Sequence, residues 1–412
     1  MKTAESFPIN ITFLENRICE LDLKQWWVAE NIGVDRKTLA RWLSGKVKNI
    51  KRDNLLALAH TLECEIDDLI LKSDTLVVSS RAEQSEAAKR IVEDKLLEIL
   101  TPSGDWPLLE SIVKSTMEPG LSKHLLGKLY NYLSICSWRQ DRLEKAFDYA
   151  MQALEIGEKI NSPVVVYAAR SNLGIIHHYR AELEKARGHY LECIDHDKYF
   201  ESPKIKGSSL SNLAMLYCDL GEYKLSIETQ KKSIEVFETL GLPLNLSIAH
   251  CAMGLTLEQL GSWEQALAEF VLSGELATSC GYKRGVAAGL LYRCTSLYHL
   301  DLKVEALDYL GQGIAEYQKL NIEEALNYSF GMKIYGLEGN SEKFDELFVR
   351  ARPLADDYPL ERAGLFKIAR IEYRKRGQNQ KARDYALKEM EIYKEAGAVK
   401  RQRELEIWLS KY

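Results

Sequence analysis

Five small residues set at equal intervals restrict this chain more than any other feature in it. Ala146, Ala186, Ser226, Ala266 and Ala306 follow one another every 40 residues, and Phe344 and Ala382 continue the series in steps of 38. Each opens a segment with helical spacing of its apolar residues: LEKAFDY, LEKARGHY, YKLSIETQ, WEQALAEF, VEALDYL, SEKFDEL and NQKARDYA. Twelve residues before the first five lie further small residues, Ser134, Gly174, Ala214, Gly254 and Cys294. Small residues at fixed offsets let paired helices approach, which a stack of helical hairpins requires of every unit. Only nine prolines and no sustained strand-like alternation point to an all-α protein, and 412 residues at 46% hydrophobic predict more than one domain.

The segments SNLGIIHHYRAELEKARGHY, SNLAMLYCDLGEYKLSIETQ and AMGLTLEQLGSWEQALAEF resemble the tetratricopeptide repeat. That repeat has a period of about 34 residues, so the six extra residues imply longer helices or longer connections. The resemblance implies a superhelix over residues 121–412, about seven helical hairpins closed by a capping helix. An amphipathic stretch at 400–409, with Leu405, Ile407, Trp408 and Leu409, supplies that cap. The first, sixth and seventh units match less well, as terminal units do.

Residues 24–46, KQWWVAENIGVDRKTLARWLSGK, read as two short helices meeting at a sharp turn. Ala29 is small where two helices cross, Gly33 occupies the turn, and Asp35 caps the second helix. In that helix Leu39, Trp42 and Leu43 form an apolar stripe, with Arg36, Lys37, Ala40 and Arg41 opposite. Gln25, Ala29, Gly33, Trp42, Gly45 and Lys46 keep the spacing of the Xre/Cro/cI-type helix-turn-helix family, which this segment resembles. The resemblance covers residues 11–72 and implies a five-helix, lambda-repressor-like domain over 1–72. Further helices are predicted at 13–23, from the N-cap Asp53 onward, and at 65–71. Glycine is usual in the family where this chain has Glu63, so the fourth helix is expected to end in another way. Between the domains, 73–120 reads as a polar linker at 73–85 followed by helices near 86–100 and 107–117 that bridge the domains or cap the repeats.

The net charge of -5 conceals a local excess. Residues 34–52 hold seven basic residues against one acid, a net of +6, which suggests contact between this segment and a polyanion. A basic outer face on a slim second helix suits the major groove of double-stranded DNA. Arg36, Lys37 and Arg41 are the candidates for base edges; Gln25, Ser44, Lys46, Lys48, Lys51 and Arg52 are the candidates for phosphates. Trp26 and Trp27 are unusual beside such a helix. With 25, 28, 29 and 32 on the inner face, at least one ring points outward, either to fold onto the first helix or the linker or to dock on the repeat domain or a second subunit.

In the repeats, Asn172 and Asn212 stand 40 residues apart in the matching sequences SNLG and SNLA, and Asn131 falls one residue out of that register. A side-chain amide both donates and accepts, as holding an extended peptide backbone requires; the same amide can equally tie adjacent repeats together. The arrangement resembles the peptide-pheromone-receptor regulators of Gram-positive bacteria, which join a similar head to such repeats. That resemblance implies a ligand groove formed by Asn131, Asn172, His178, Asn212, Met215, Leu255, Tyr292 and Tyr298.

Other chemistries find little support. His177 and His178 are adjacent and cannot form the i, i+4 pair of a metal helix, so no metal or other cofactor is expected. No nucleotide-binding glycine loop, nucleophile elbow or paired-carboxylate context appears, and an enzyme is not expected. Eight scattered cysteines without a C-x-x-C read as reduced residues. No apolar run reaches membrane-spanning length and the first residues do not read as a signal peptide, so a cytoplasmic protein is expected. The leading expectation is a homodimeric transcriptional regulator that senses a peptide or protein. The alternative is a repeat scaffold that recruits a partner protein to DNA without a small effector.

Overall fold

The computed structural model describes residues 6–21, 23–47, 49–70, 87–91, 105–117, 121–196, 198 and 203–411. The linker expected at 73–85, most of the helix expected at 86–100, and Lys48 lie outside them. The chain divides into two compact units, Met1–Ala87 and Ala88–Tyr412.

The first unit contains helices α1 (Ile11–Glu20), α2 (Gln25–Asn31), α3 (Arg36–Leu43), α4 (Arg52–Thr61) and α5 (Ile66–Leu69). A two-stranded antiparallel ribbon joins β1 (Ser6–Pro8) to β2 (Asn49–Lys51), pairing Phe7 with Ile50. The all-α expectation did not include it; strands of three residues whose paired positions lie 41 to 45 apart leave no periodic signal. Leu14, Val28, Leu39, Leu55, Leu58, Leu62 and Leu69 fill the core. Asp35 caps α3 by accepting from Thr38 N at 2.7 Å. Gly33 takes φ +72°, the left-handed conformation for which glycine carries no penalty.

The end of α4 corrects the sequence expectation. Glu63 adopts φ +49° itself, and Cys64 N donates to Ala59 O at 3.1 Å, so the glycine-type cap forms without glycine. Arg17 from α1 supports it, donating through Nε to Leu62 O and through a terminal nitrogen to Glu63 O, at 3.0 and 3.1 Å.

In the second unit α6 (Trp106–Thr116) packs on α7 (Lys123–Trp138), the first helix of the repeats. Its Glu110 is buried and accepts from Arg142 and Gln140 in the first hairpin's turn. Burial opposes its charge, yet hydrogen bonds from Arg142, Lys114 and Gln140 bring the carboxyl down to about 2.

Seven hairpins follow among the described residues: α7 with α8 (Leu143–Lys159), α9 (Pro163–Tyr179) with α10 (Leu183–Asp195), α11 (Lys204–Asp219) with α12 (Tyr223–Thr239), and α13 (Pro243–Gln259) with α14 (Trp263–Ser279). Then come α15 (Lys283–His299) with α16 (Lys303–Lys319), α17 (Ala325–Leu337) with α18 (Ser341–Leu354), and α19 (Pro359–Lys375) with α20 (Asn379–Glu395). The terminal helix is α21 (Val399–Ser410).

The 40-residue period has a simple origin. Most of the helices run 17 residues and are joined by three-residue turns. Left-handed residues mark those turns every 20 positions: Asp141, Asn161, Ala181, then Gly221, Gly241, Gly261, Gly281, Asp301 and Asn321. Of the two explanations offered for six extra residues, longer helices is the one observed. The repeating small residues serve close packing, since a Cβ on Gly174 would fall 2.6 Å from the Tyr190 ring and one on Gly254 2.5 Å from Phe270.

The first helices of successive hairpins touch one another, whereas the second helices make no comparable contact among themselves. The first helices therefore line the concave side.

Candidate functional site

On the head, Arg36, Lys37, Ala40 and Arg41 are exposed along α3, opposite the buried Leu39 and Trp42. Ser44 and Lys46 continue this face at the end of the helix, Gln25 is exposed at the start of α2, and Lys51 and Arg52 are exposed where β2 meets α4. Gln25 thus stands outside the inner face expected for it, and Val28, Ala29 and Ile32 hold that face alone. Among the described residues Lys37, Arg41, Lys46 and Lys51 form no ion pair, so their charge is available to a polyanion. Both tryptophans are exposed, Trp26 by 46% and Trp27 by 38%. The Arg36 guanidinium lies 5.8 Å from the Trp26 ring centroid.

In the repeat unit the concave side is drawn together across its own hollow. Tyr358, just before α19, donates to Asp141 Oδ1 in the first hairpin's turn at 2.6 Å, and its ring meets Tyr179 edge-on at 5.7 Å. Lys367 of α19 donates to Gln259 Oε1 of α13 at 3.0 Å. Arg401 of α21 reaches the end of α11, donating to Asp219 O at 3.0 Å, Cys218 O at 2.9 Å and the Tyr223 hydroxyl at 2.5 Å, while Lys400 donates to Gly221 O at 2.6 Å. A guanidinium there satisfies carbonyls that α11 leaves open and complements its dipole. One apolar core runs from Leu183, Tyr190 and Leu216 to Phe344, Tyr373 and Leu405. The array is a superhelix whose last hairpin and terminal helix close onto its early hairpins.

The charges inside are largely matched. Arg284 pairs with Glu324 at 2.6 Å, Arg370 with Glu389 at 2.6 Å, and Lys333 with Glu258 at 3.6 Å. Glu361, which is exposed, has no ion pair among the described residues. Desolvation, Glu324, Asp141 and Asp219 raise its carboxyl to about 7, with Arg284 opposing.

Residues 16–71 match the profile of the Cro/C1-type HTH DNA-binding domain, and residues 207–271 match that of the tetratricopeptide repeat. The chain joins a Cro/C1-type DNA-binding domain to tetratricopeptide repeats.

Three solved structures resemble it in fold. A Rap protein complexed with competence and sporulation factor is 16% identical, over 81% of this chain and 99% of that one, with a TM-score of 0.55. The Rap conjugation gene regulator of the plasmid pLS20, in complex with a Phr peptide, is 13% identical over 94% and 96%, with a TM-score of 0.54. Aspartyl phosphate phosphatase F from Bacillus subtilis is 16% identical over 93% and 94%, with a TM-score of 0.53. The comparison with curated proteins finds no match. Among the described residues no helix is long and apolar enough to cross a membrane.

Within the tetratricopeptide array the expected groove residues part company. Asn131 and Asn172 are buried and spend their amides on neighbouring hairpins. Asn131 Nδ2 donates to Val165 O at 3.2 Å, and Asn172 Nδ2 donates to Asn131 O at 3.2 Å and Oδ1 at 3.3 Å. They tie repeats together, the other role open to them. Tyr292 is also corrected: its buried ring stacks on Phe330 at 4.5 Å and meets Phe270 edge-on at 5.7 Å, because at that position the helix faces the core. His178 is half-buried against Asp219 Oδ2 at 2.9 Å. Tyr298 hydrogen-bonds Glu338, which raises its phenol to about 12. Asn212 is half-exposed with no side-chain hydrogen bond among the described residues, Met215 is exposed by 41%, and Leu255 is half-buried.

The sequence reading missed the inward charges, Lys333, Lys367, Glu324 and Glu361, and the closing residues Tyr358 and Arg401. One signal was available: Tyr179, Asp219 and Gln259 stand at one 40-residue register and all meet partners across the array.

Proposed function

We propose that this protein is a sequence-specific, DNA-binding transcriptional regulator whose repeat domain dimerises and binds a peptide within its closed superhelix. The observation that carries the reading is the row of exposed cations on α3, with Lys37 and Arg41 in no ion pair among the described residues, joined in one chain to repeats whose concave side carries polar and charged side chains. A short reading helix spans few base pairs, so two heads on paired half-sites supply the specificity that one lacks. A peptide as ligand is supported by the relative of similar fold that was solved in complex with a Phr peptide. Asn212 and Met215 are positioned to contact it. The protein acts as a binding device rather than a catalyst, in the cytoplasm where its operator is accessible.

The test is selection of bound duplexes from a random pool by the full chain. The expected product is a motif with two inverted half-sites, bound with a steep salt dependence. Recovery of no motif, together with salt-insensitive retention, would remove DNA reading from the account.

A further inference from the structure

On the concave side of the superhelix, Lys367 carries an ammonium with no anion among the described residues. Lys367 donates to the neutral amide of Gln259, and two hairpins lie between the helices that carry them, so the bond crosses the hollow rather than following its wall. Beside Gln259, the buried Glu258 is already engaged by Lys333 at 3.6 Å and by the Ser296 hydroxyl at 3.4 Å. Glu389, the other nearby acid, belongs to Arg370 at 2.6 Å. Among the described residues Lys367 has no ion pair. Burial and the cations Arg401, Arg370 and Lys333 bring its ammonium down to about 8, with Glu389 opposing.

A largely enclosed cation without a counter-charge is costly, and an arriving anion relieves that cost. We propose that Lys367, with Lys333 beside it, receives a carboxylate of the bound peptide, and that this carboxylate is the peptide's C-terminus. The proposal rests on the peptide reading given above. Arg401, whose charge bears on Lys367, also closes the superhelix onto residues 218–221. An extended backbone reaching Lys367 meets that closed side, and a chain end needs no path beyond it.

The experiment passes short random peptides over the full chain and counts those retained by mass spectrometry. One set lacks Asp and Glu and is made both as free acids and as C-terminal amides; a second set contains Asp and Glu and is amidated. In the first set free acids should be retained about tenfold over amides, the size of one charge-assisted hydrogen bond. Lys367→Gln should erase that preference and Lys367→Arg should keep it, each with a melting temperature near that of the parent. Retention of Asp- or Glu-containing amides at the level of free acids would overturn the terminal assignment. Equal retention of acids and amides by the parent chain, or a preference that survives Lys367→Gln, would overturn the site. If no peptide is retained in any form, the peptide reading itself falls, and the site falls with it.

Discussion

The two units dispose of their charge in opposite ways. On the head, Lys37, Arg41 and Lys46 face solvent with no ion pair among the described residues, and Arg36 lies against the Trp26 ring. In the repeats, cations find carboxylates or carbonyls on other elements of the array: Arg284 on Glu324 of the next-but-one helix's N-cap, Arg370 on Glu389 within its own hairpin, and Arg401 on the distant end of α11. The same side chain thus serves two ends. An unpaired guanidinium on a rigid helix is free for an incoming phosphate or base, whereas one driven into an open helix end fixes shape. Arg17 shows that the head also uses the second device, capping α4 as Arg401 caps α11, so the difference lies in which arginines are left over.

The largest expected effect breaks the comparison at the head. Arg36→Ala with Arg41→Ala should weaken binding to the selected duplex by about 2–6 kcal/mol, since each base-edge contact is worth about 1–3. The salt dependence should become shallower while the melting temperature of the chain stays unchanged. Fluorescence anisotropy at several salt concentrations checks this; unchanged affinity would mean that α3 does not read the groove.

Next, Arg401→Ala should destabilise the repeat unit by about 2–4 kcal/mol, because hydrogen bonds from a charged donor are lost and α11 carbonyls are left open. Hydrogen exchange should speed up at both 216–221 and 398–405 and leave the head alone. Acceleration only in the terminal helix would show that the closing contact carries no stability.

A smaller effect is expected at Trp26. Trp26→Ala should cost about 0.5–1 kcal/mol in duplex affinity, the worth of an exposed cation–π contact, and none once Arg36 is already alanine. A full loss in the Arg36→Ala background would assign the ring a role independent of Arg36.

The smallest concerns pH. Glu361 has a carboxyl raised to about 7 from 4.5, so its favourable contribution is complete below pH 4.5 and is lost as pH rises through 7. Glu361→Gln should therefore flatten the fall in melting temperature between pH 5 and 8 by about 1–2 °C. An identical profile for parent and variant would show that its carboxyl is not raised.

How much of this was legible depended on distance along the chain. The hairpins were readable because Ala146 and its counterparts recur at a fixed interval, and the head because Asp35, Leu39 and Trp42 act within a few residues. Closure was not, since Arg401 answers to Cys218 and Tyr358 to Asp141 with no local pattern between them. The asparagines were legible only in part. A 40-residue period gives Asn172 and Asn212 the same place in the repeat, yet Asn172 meets Asn131 on the preceding hairpin while Asn212 finds no such partner. Tyr292 shares that register, and there the aromatic ring belongs to the core.

A regulator of the kind proposed here would let a ligand bound in the repeats change how the head binds DNA. The direct measurement is the affinity of the full chain for its selected duplex, at fixed salt, with and without a saturating peptide recovered from the retained pool. The account predicts a change of about fivefold or more, in the range of ordinary coupling free energies, that disappears in the Lys367→Gln chain. A peptide that binds the repeats while duplex affinity stays constant would contradict it.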